Sequence, residues 1–185
     1  MAYLNNDFFI IFSIVLWLAI FIYWVVRSKN QGVLNEITGL VKLLFSGLVL
    51  FVPILFPLDF LVYKKFPVTD ITGACFTIFG FIVCIVSREY LASNWSGKVK
   101  IQEKHNLIKD GPYKIIRHPI YTGVLVMMLG SGIIIGNILD FVWVLFCFFG
   151  LYRKSKQEEK LLINEFGQLY EQYKKETKMM IPYLL

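Results

Sequence analysis

FFIIFSIVLWLAIFIYWVV, residues 8–26, is nineteen residues long with Ser13 as its single polar interruption. As an α-helix rising about 1.5 Å per residue it would reach roughly 28 Å, close to the thickness of a bilayer's hydrocarbon core. It is too long for a signal-peptide core, has no basic stretch before it and no small-residue cleavage site after it, and is expected to stay in the mature protein. Further apolar runs follow at residues 40–63, 71–86, 119–139 and 141–152, which gives five candidate spans. The second contains Pro53 and Pro57, with Lys42 near its start and Asp59 near its end, and is expected to kink or break. The last two are separated by a short turn around residues 137–140, so they should form a tight helical hairpin. The fifth is too short to cross unaided and should continue into water. The predicted fold is therefore an all-α, polytopic membrane helical bundle of about five transmembrane helices.

Composition agrees with that reading. The chain of 185 residues is 57% hydrophobic, 17% aromatic and only 17% charged, against about 25% charged in an ordinary soluble domain. A soluble core could not hide so much apolar surface. Basic residues set the expected orientation, because cytoplasmic loops hold the excess of Lys and Arg. With five spans, seventeen of the nineteen basic residues fall on one side and only Lys64 and Lys65 on the other. The amino terminus is thus expected outside and the carboxyl terminus in the cytoplasm. The net charge of +6 is concentrated on one membrane face, where anionic lipid headgroups account for it without nucleic acid.

Cys75, Cys84 and Cys147 lie inside apolar runs without neighbours at metal-ligand spacing, so they read as packing residues and neither a metal site nor a disulfide framework is expected. Gly130-Ser131-Gly132 with Gly136 looks superficially like a nucleotide loop. It falls inside a span, where small residues serve close helix packing, and the strand and turn a dinucleotide loop needs are missing.

Chemistry is confined to two polar stretches. Between the third and fourth spans the chain reads His105-Asn106-Leu107-Ile108, then Gly111-Pro112-Tyr113, then Arg117-His118-Pro119-Ile120-Tyr121-Thr122-Gly123. Pro119 biases His118 away from helical geometry and suits a first helical turn, so Arg117 and His118 should stand at a helix start on the membrane surface, a place that attracts anions. From the residues alone, an interfacial loop with snorkelling cations and an aromatic belt competes with a functional reading. Past the fifth span, Glu158 and Glu159 precede an amphipathic stretch marked by Leu162, Phe166, Leu169, Tyr170 and Tyr173.

Taken together, the His-Asn-Leu-Ile segment, Gly-Pro-Tyr, Arg-His-Pro-x-Tyr-x-Gly, the Glu pair and Phe166-Gly167-x-x-Tyr170-x-x-Tyr173 occur in the order and approximate spacing of one family. The chain resembles the isoprenylcysteine carboxyl methyltransferases and their phospholipid methyltransferase relatives over about residues 87–183, in a prokaryotic-type member. The chain is read as a single membrane domain over residues 1–185, with three amino-terminal spans in 1–86, which match the family only in hydropathy, and a cofactor-binding half in 87–185 that holds the helical hairpin and the amphipathic tail. The resemblance implies S-adenosylmethionine as methyl donor in a cytoplasmic cofactor-binding region, and a lipid-like or prenylated acceptor entering from the bilayer.

The implied cofactor pocket comprises His105, Asn106, Leu107, Ile108, Tyr113, His118, Pro119, Ile120, Tyr121 and Glu158. Lys154, at the position of a family arginine, and the adjacent Arg153 are the implied acceptor-holding residues. Lys cannot make the bidentate contact of Arg with a carboxylate, which leaves the acceptor open. A phospholipid amine methyltransferase is the alternative enzyme, with His118 as the base an amine would need. A non-catalytic membrane scaffold is the alternative of another class.

Overall fold

A computed structural model of the chain describes residues 2–28, 67–91 and 107–182. The second predicted span, His105 and Asn106 lie outside the described residues. Among the described residues there are five α-helices and one 3-10 turn, and no β-strand. They are α1 (Ala2–Ser28), α2 (Pro67–Leu91), the 3-10 turn Gly111–Lys114, α3 (Pro119–Ile135), α4 (Ile138–Phe166) and α5 (Gln168–Glu176). The apolar runs at 8–26 and 71–86 lie inside α1 and α2, which extend beyond them at both ends.

The hairpin is displaced from its predicted place. Gly136 takes the left-handed conformation at φ 79° and ends α3, while the Asn137 side chain accepts from Leu139 N and caps α4. Leu139 and Asp140 therefore already belong to the first turn of α4 and not to the connection. As predicted, α4 continues well past the apolar run at 141–152, because the residues that follow are Lys, Gln, Glu and Leu, all good helix formers. The single amphipathic stretch predicted over residues 162–173 is instead broken. Gly167, at φ 54° and ψ −128°, ends α4 and starts α5, which leaves Leu169 exposed while Tyr170 and Tyr173 turn inward.

α2 and α3 pack backbone to backbone through two glycine pairs, each seven residues apart on its helix. A Cβ on Gly80 would stand 2.5 Å from Gly123 O, and one on Gly73 would stand 2.7 Å from Gly130 O. Cys84, fully buried, fills the space beside Gly123, with Sγ 3.5 Å from Ile120 O. Cys75 is exposed and Cys147 half-buried, so only Cys84 packs as predicted.

α1 joins this pair through apolar contacts of Ile20 with Met127 and Cys84, and through a small polar knot. Ser13 Oγ lies 2.9 Å from Ser131 Oγ, and Trp17 Nε1 donates to the same hydroxyl at 3.0 Å. The outward residues are apolar: Phe8, Ile11, Val15, Leu18, Ile22 and Val26 on α1, and Val142, Leu145, Phe146 and Phe149 on α4 are all more than half exposed. Apolar surface of that extent fits a bundle solvated by lipid. Among the described residues one helix, Thr69–Leu91, is long and apolar enough to cross a membrane; the apolar stretches Phe8–Trp24 and Pro119–Ile135 are shorter.

Candidate active site

The start of α3 is set by Pro119, whose ring replaces an amide that no helical carbonyl would have met. His118 precedes it at φ −123°, ψ 58°, and its own amide donates to Met179 O at 2.9 Å. Arg117 N donates to Lys178 O at 2.8 Å and Lys178 N to Ile115 O at 3.2 Å. The carboxyl-terminal tail thus runs beside residues 115–118 and takes up the amides at the foot of α3.

Two adjacent carboxylates on α4 face this foot and have different surroundings. Glu159 is buried; it accepts from Arg117 Nε at 2.6 Å and has Lys174 Nζ at 3.9 Å. Burial alone would raise its pKa, but the hydrogen bond and charge of Arg117, with His118 close by, outweigh this and hold the carboxyl at about 2. Glu158 is 37% exposed, accepts from Tyr121 Oη at 2.6 Å, and has Lys154 Nζ at 3.9 Å.

The His118 ring lies between the two, with Nδ1 3.6 Å from Glu158 Oε2 and Nε2 3.7 Å from Glu159 Oε1. It stacks on Tyr121 at 5.6 Å with an interplanar angle of 4°. These separations exceed hydrogen-bond length, and buried Nε2 has no hydrogen-bond partner among the described residues. Lys154 Nζ stands 5.2 Å from the Tyr121 ring centroid.

Tyr113 enters from the 3-10 turn. Gly111 opens that turn at φ 58°, and a Cβ there would lie 2.6 Å from the Tyr90 ring, which explains the glycine of Gly-Pro-Tyr. Tyr113 is buried, and its carbonyl accepts from Tyr173 Oη at 2.7 Å. Burial pushes the phenols of Tyr113, Tyr170 and Tyr173 up, so they remain neutral donors at physiological pH.

The structure thus brings His118, Tyr121, Glu158 and Lys154 into one cluster. Leu107 and Ile108 are half-buried, Arg153 is exposed, and Pro119 and Ile120 are buried and serve packing at the helix start. Arg117 and Glu159, read in the sequence as a helix-start residue and one of a Glu pair but not as site residues, lie beside the cluster with Thr177 and Met180, which the sequence did not mark. Their signal in the sequence was faint: a buried Arg beside a His-Pro, and a second Glu indistinguishable in type from the first.

A family model described as "Isoprenylcysteine carboxyl methyltransferase (ICMT) family" matches residues 73–164, from the first seam glycine through both carboxylates. The chain belongs to the isoprenylcysteine carboxyl methyltransferase family. Among the relatives of this family, the protein-S-isoprenylcysteine O-methyltransferase of Schizosaccharomyces pombe is 31% identical over 158 residues, which are 80% of this chain and 66% of the relative. The protein of the same name from Dictyostelium discoideum is 34% identical over 115 residues, 60% of this chain and 48% of the relative. The chain therefore spans about half to two thirds of the length of these two family members.

A solved structure titled as a eukaryotic intramembrane Ras methyltransferase of the family superposes with a TM-score of 0.60 at 24% identity. The match covers 77% of this chain and 53% of that one. The fold of this chain is the all-helical membrane fold of the family.

Proposed function

We propose that the chain transfers a methyl group from S-adenosylmethionine to the carboxylate of a lipid-modified, membrane-borne acceptor such as an isoprenylcysteine-like group. The observation that supports this most is the convergence of His118, Tyr121, Glu158 and Lys154 at one end of an apolar bundle, in a chain whose relatives are named O-methyltransferases. The residues present fit such a donor. His118 Nε2 is buried without a hydrogen-bond partner among the described residues, and Glu158 keeps more than a third of its side chain open.

S-adenosylmethionine supplies a methyl already activated on a sulfonium, so the protein's work is positioning and exclusion of water more than proton removal. Glu158 accepts hydrogen bonds from hydroxyl or amino groups, and the faces of Tyr113 and Tyr121 favour a cation. His105, Asn106, Leu107, Ile108, Pro119 and Ile120 complete the pocket in this reading. Lys154 and Arg153 hold the anionic acceptor where α4 leaves the membrane. Residues 1–185 act as one domain, with residues 87–185 as its cofactor-binding half.

In this reading the cluster lies on the cytoplasmic face and the α3–α4 connection outside. Ile138 is 53% exposed beside the buried cap Asn137, so a cysteine at Ile138 should react with an impermeant reagent in intact cells. Reaction only after permeabilisation would refute the orientation.

The deciding experiment is the base lability of the methylated product. A methyl ester is released by mild alkali, whereas a stable methylamine would assign the chain to amine methylation. Failure of the purified protein to bind S-adenosylmethionine would favour a scaffold.

A further inference from the structure

We propose that Arg117 and Glu159 are positioning residues that latch the carboxyl-terminal tail against the foot of α3, and that this latch holds His118 between the two carboxylates. The inference deepens the methyltransferase reading and rests on it.

Arg117 is 8% exposed and spends its guanidinium on two elements at once. Nε donates to Glu159 on α4, while NH1 donates to Thr177 O at 2.5 Å and to Lys174 O at 3.3 Å, where α5 passes into the tail. One side chain thereby joins the segment preceding α3, the cytoplasmic half of α4 and the end of α5. The tail answers with its carbonyls. Lys178 O accepts from Arg117 N, Met179 O from His118 N at 2.9 Å, and Met180 O from the Thr122 hydroxyl at 2.7 Å.

His118 is therefore gripped through its backbone by the tail and flanked through its ring by Glu158 and Glu159. No hydrogen bond among the described residues fixes its Nε2, so the ring's placement depends on that grip and on the Tyr121 stack. Met180, fully buried against Ser155 Oγ at 3.8 Å, anchors the tail on α4 below the latch. Glu159 is too enclosed, at 3% exposure, to meet a ligand directly. Its charge is directed to Arg117 and not to the open side of the cluster that Glu158 faces. Residues 177–180 lie beyond the segment the family model matches, so the latch joins that shared core to a tail outside it.

The test uses the full-length protein in detergent with two readouts: tryptic cleavage after Lys178 followed by mass spectrometry, and equilibrium binding of S-adenosylmethionine. Glu159→Gln removes the latch charge, and Thr122→Val removes one tail hydrogen bond at little risk to the fold. Both should speed cleavage and raise the cofactor Kd, by about three- to tenfold for Glu159→Gln and less for Thr122→Val, as expected for loss of one or two buried hydrogen bonds.

The acceptor's Michaelis constant should change much less than the cofactor Kd. Arg117→Lys, which keeps the charge but not the fork, should recover part of what Arg117→Met loses. Glu176→Gln, on the outer face of α5, is the control and should change neither readout. A tail that stays protected in Glu159→Gln and Thr122→Val, or one that is released while the cofactor Kd is unchanged, overturns the latch alone. Absence of cofactor binding by the parent protein overturns the latch together with the methyltransferase reading, which separates the two failures.

Discussion

The α2–α3 seam and the polar cluster at the foot of α3 meet on one helix, with Gly123 only two residues after Tyr121, and are built from opposite materials. The seam works by omission: four glycines let two backbones touch, so its specificity is steric and a single added carbon is enough to disturb it. The cluster works by convergence. Arg117 and His118 precede α3, Tyr121 lies in its first turn, Glu158 and Glu159 come from α4, and Thr177 follows α5. In the seam no charged side chain takes part, and no residue larger than glycine fits without moving backbone. In the cluster each group has several partners, so substitutions redistribute contacts as well as delete them.

The largest expected effect tests the steric side. Gly80→Leu places a side chain where even a Cβ would be 2.5 Å from Gly123 O and 2.7 Å from Met127 N. Backbone cannot retreat as a side-chain tip can, so destabilisation of about 3 kcal/mol or more is expected. Gly150→Leu on α4, where a Cβ meets nothing within 4 Å, should leave the melting temperature nearly unchanged. Equal melting of the two variants would dismiss the seam.

Next comes the contrast between the two carboxylates. Glu159→Ala leaves Arg117 buried without its counter-charge, at a cost of about 3 to 5 kcal/mol, and should appear first in thermal stability. Glu158→Ala should leave stability almost intact and weaken cofactor binding by roughly ten- to a hundredfold, the usual range for a lost charged hydrogen-bond partner. Calorimetry and melting on the same two samples separate these outcomes; a reversed pattern would mean the roles have been exchanged.

A smaller effect follows from acid. Glu159 is held at about 2 against an ordinary 4.5, so the unfolded chain takes up its proton first as the pH falls. The stability it contributes is complete above about pH 4.5 and is lost progressively towards pH 2, in total about 3 kcal/mol. The groups facing it are Arg117, His118 and Lys174. Melting temperatures between pH 6 and 3 should fall in the parent protein and vary less in Glu159→Gln.

Much of this was legible in the sequence, and for definite reasons. The helices over residues 8–26 and 71–86 were visible because their apolar runs are long, and His118 at a helix start was visible because Pro119 constrains both residues. The break at Gly167 was hidden because Tyr170 and Tyr173 continue the helical periodicity of Leu162 and Phe166 while the backbone turns. The buried role of Glu159 was hidden because adjacent glutamates look alike until the helix points one inward. Arg117 was quoted as part of a motif, but its partners, Glu159, Lys174 and Thr177, lie 42, 57 and 60 residues away. No local pattern announces contacts of that kind.

The smallest expected effect concerns the boundary between cofactor and acceptor. The sequence placed Lys154 apart from the cofactor residues, at the exit of α4. In the structure its ammonium is 5.2 Å from the Tyr121 ring and 3.9 Å from Glu158 Oε1, with the side chain 59% exposed. A solvent-screened pair of this kind contributes at most about 1 kcal/mol, so Lys154→Ala should change S-adenosylmethionine affinity by less than about fivefold. An acceptor carboxylate held by the same ammonium loses more, because in the open part of the cluster no other cation but Arg153 is adjacent in sequence to replace it. The acceptor's Michaelis constant should therefore rise clearly in Lys154→Ala and further in the double variant with Arg153→Ala, whereas His118→Ala should weaken cofactor binding directly. Kinetics with a prenylcysteine analogue and with a phospholipid amine, alongside cofactor titration, measure both sides of the boundary. If the double variant loses cofactor affinity as severely as His118→Ala, the basic pair belongs to the cofactor pocket. The contact with Tyr121 would then be its working position and not a resting place between acceptors.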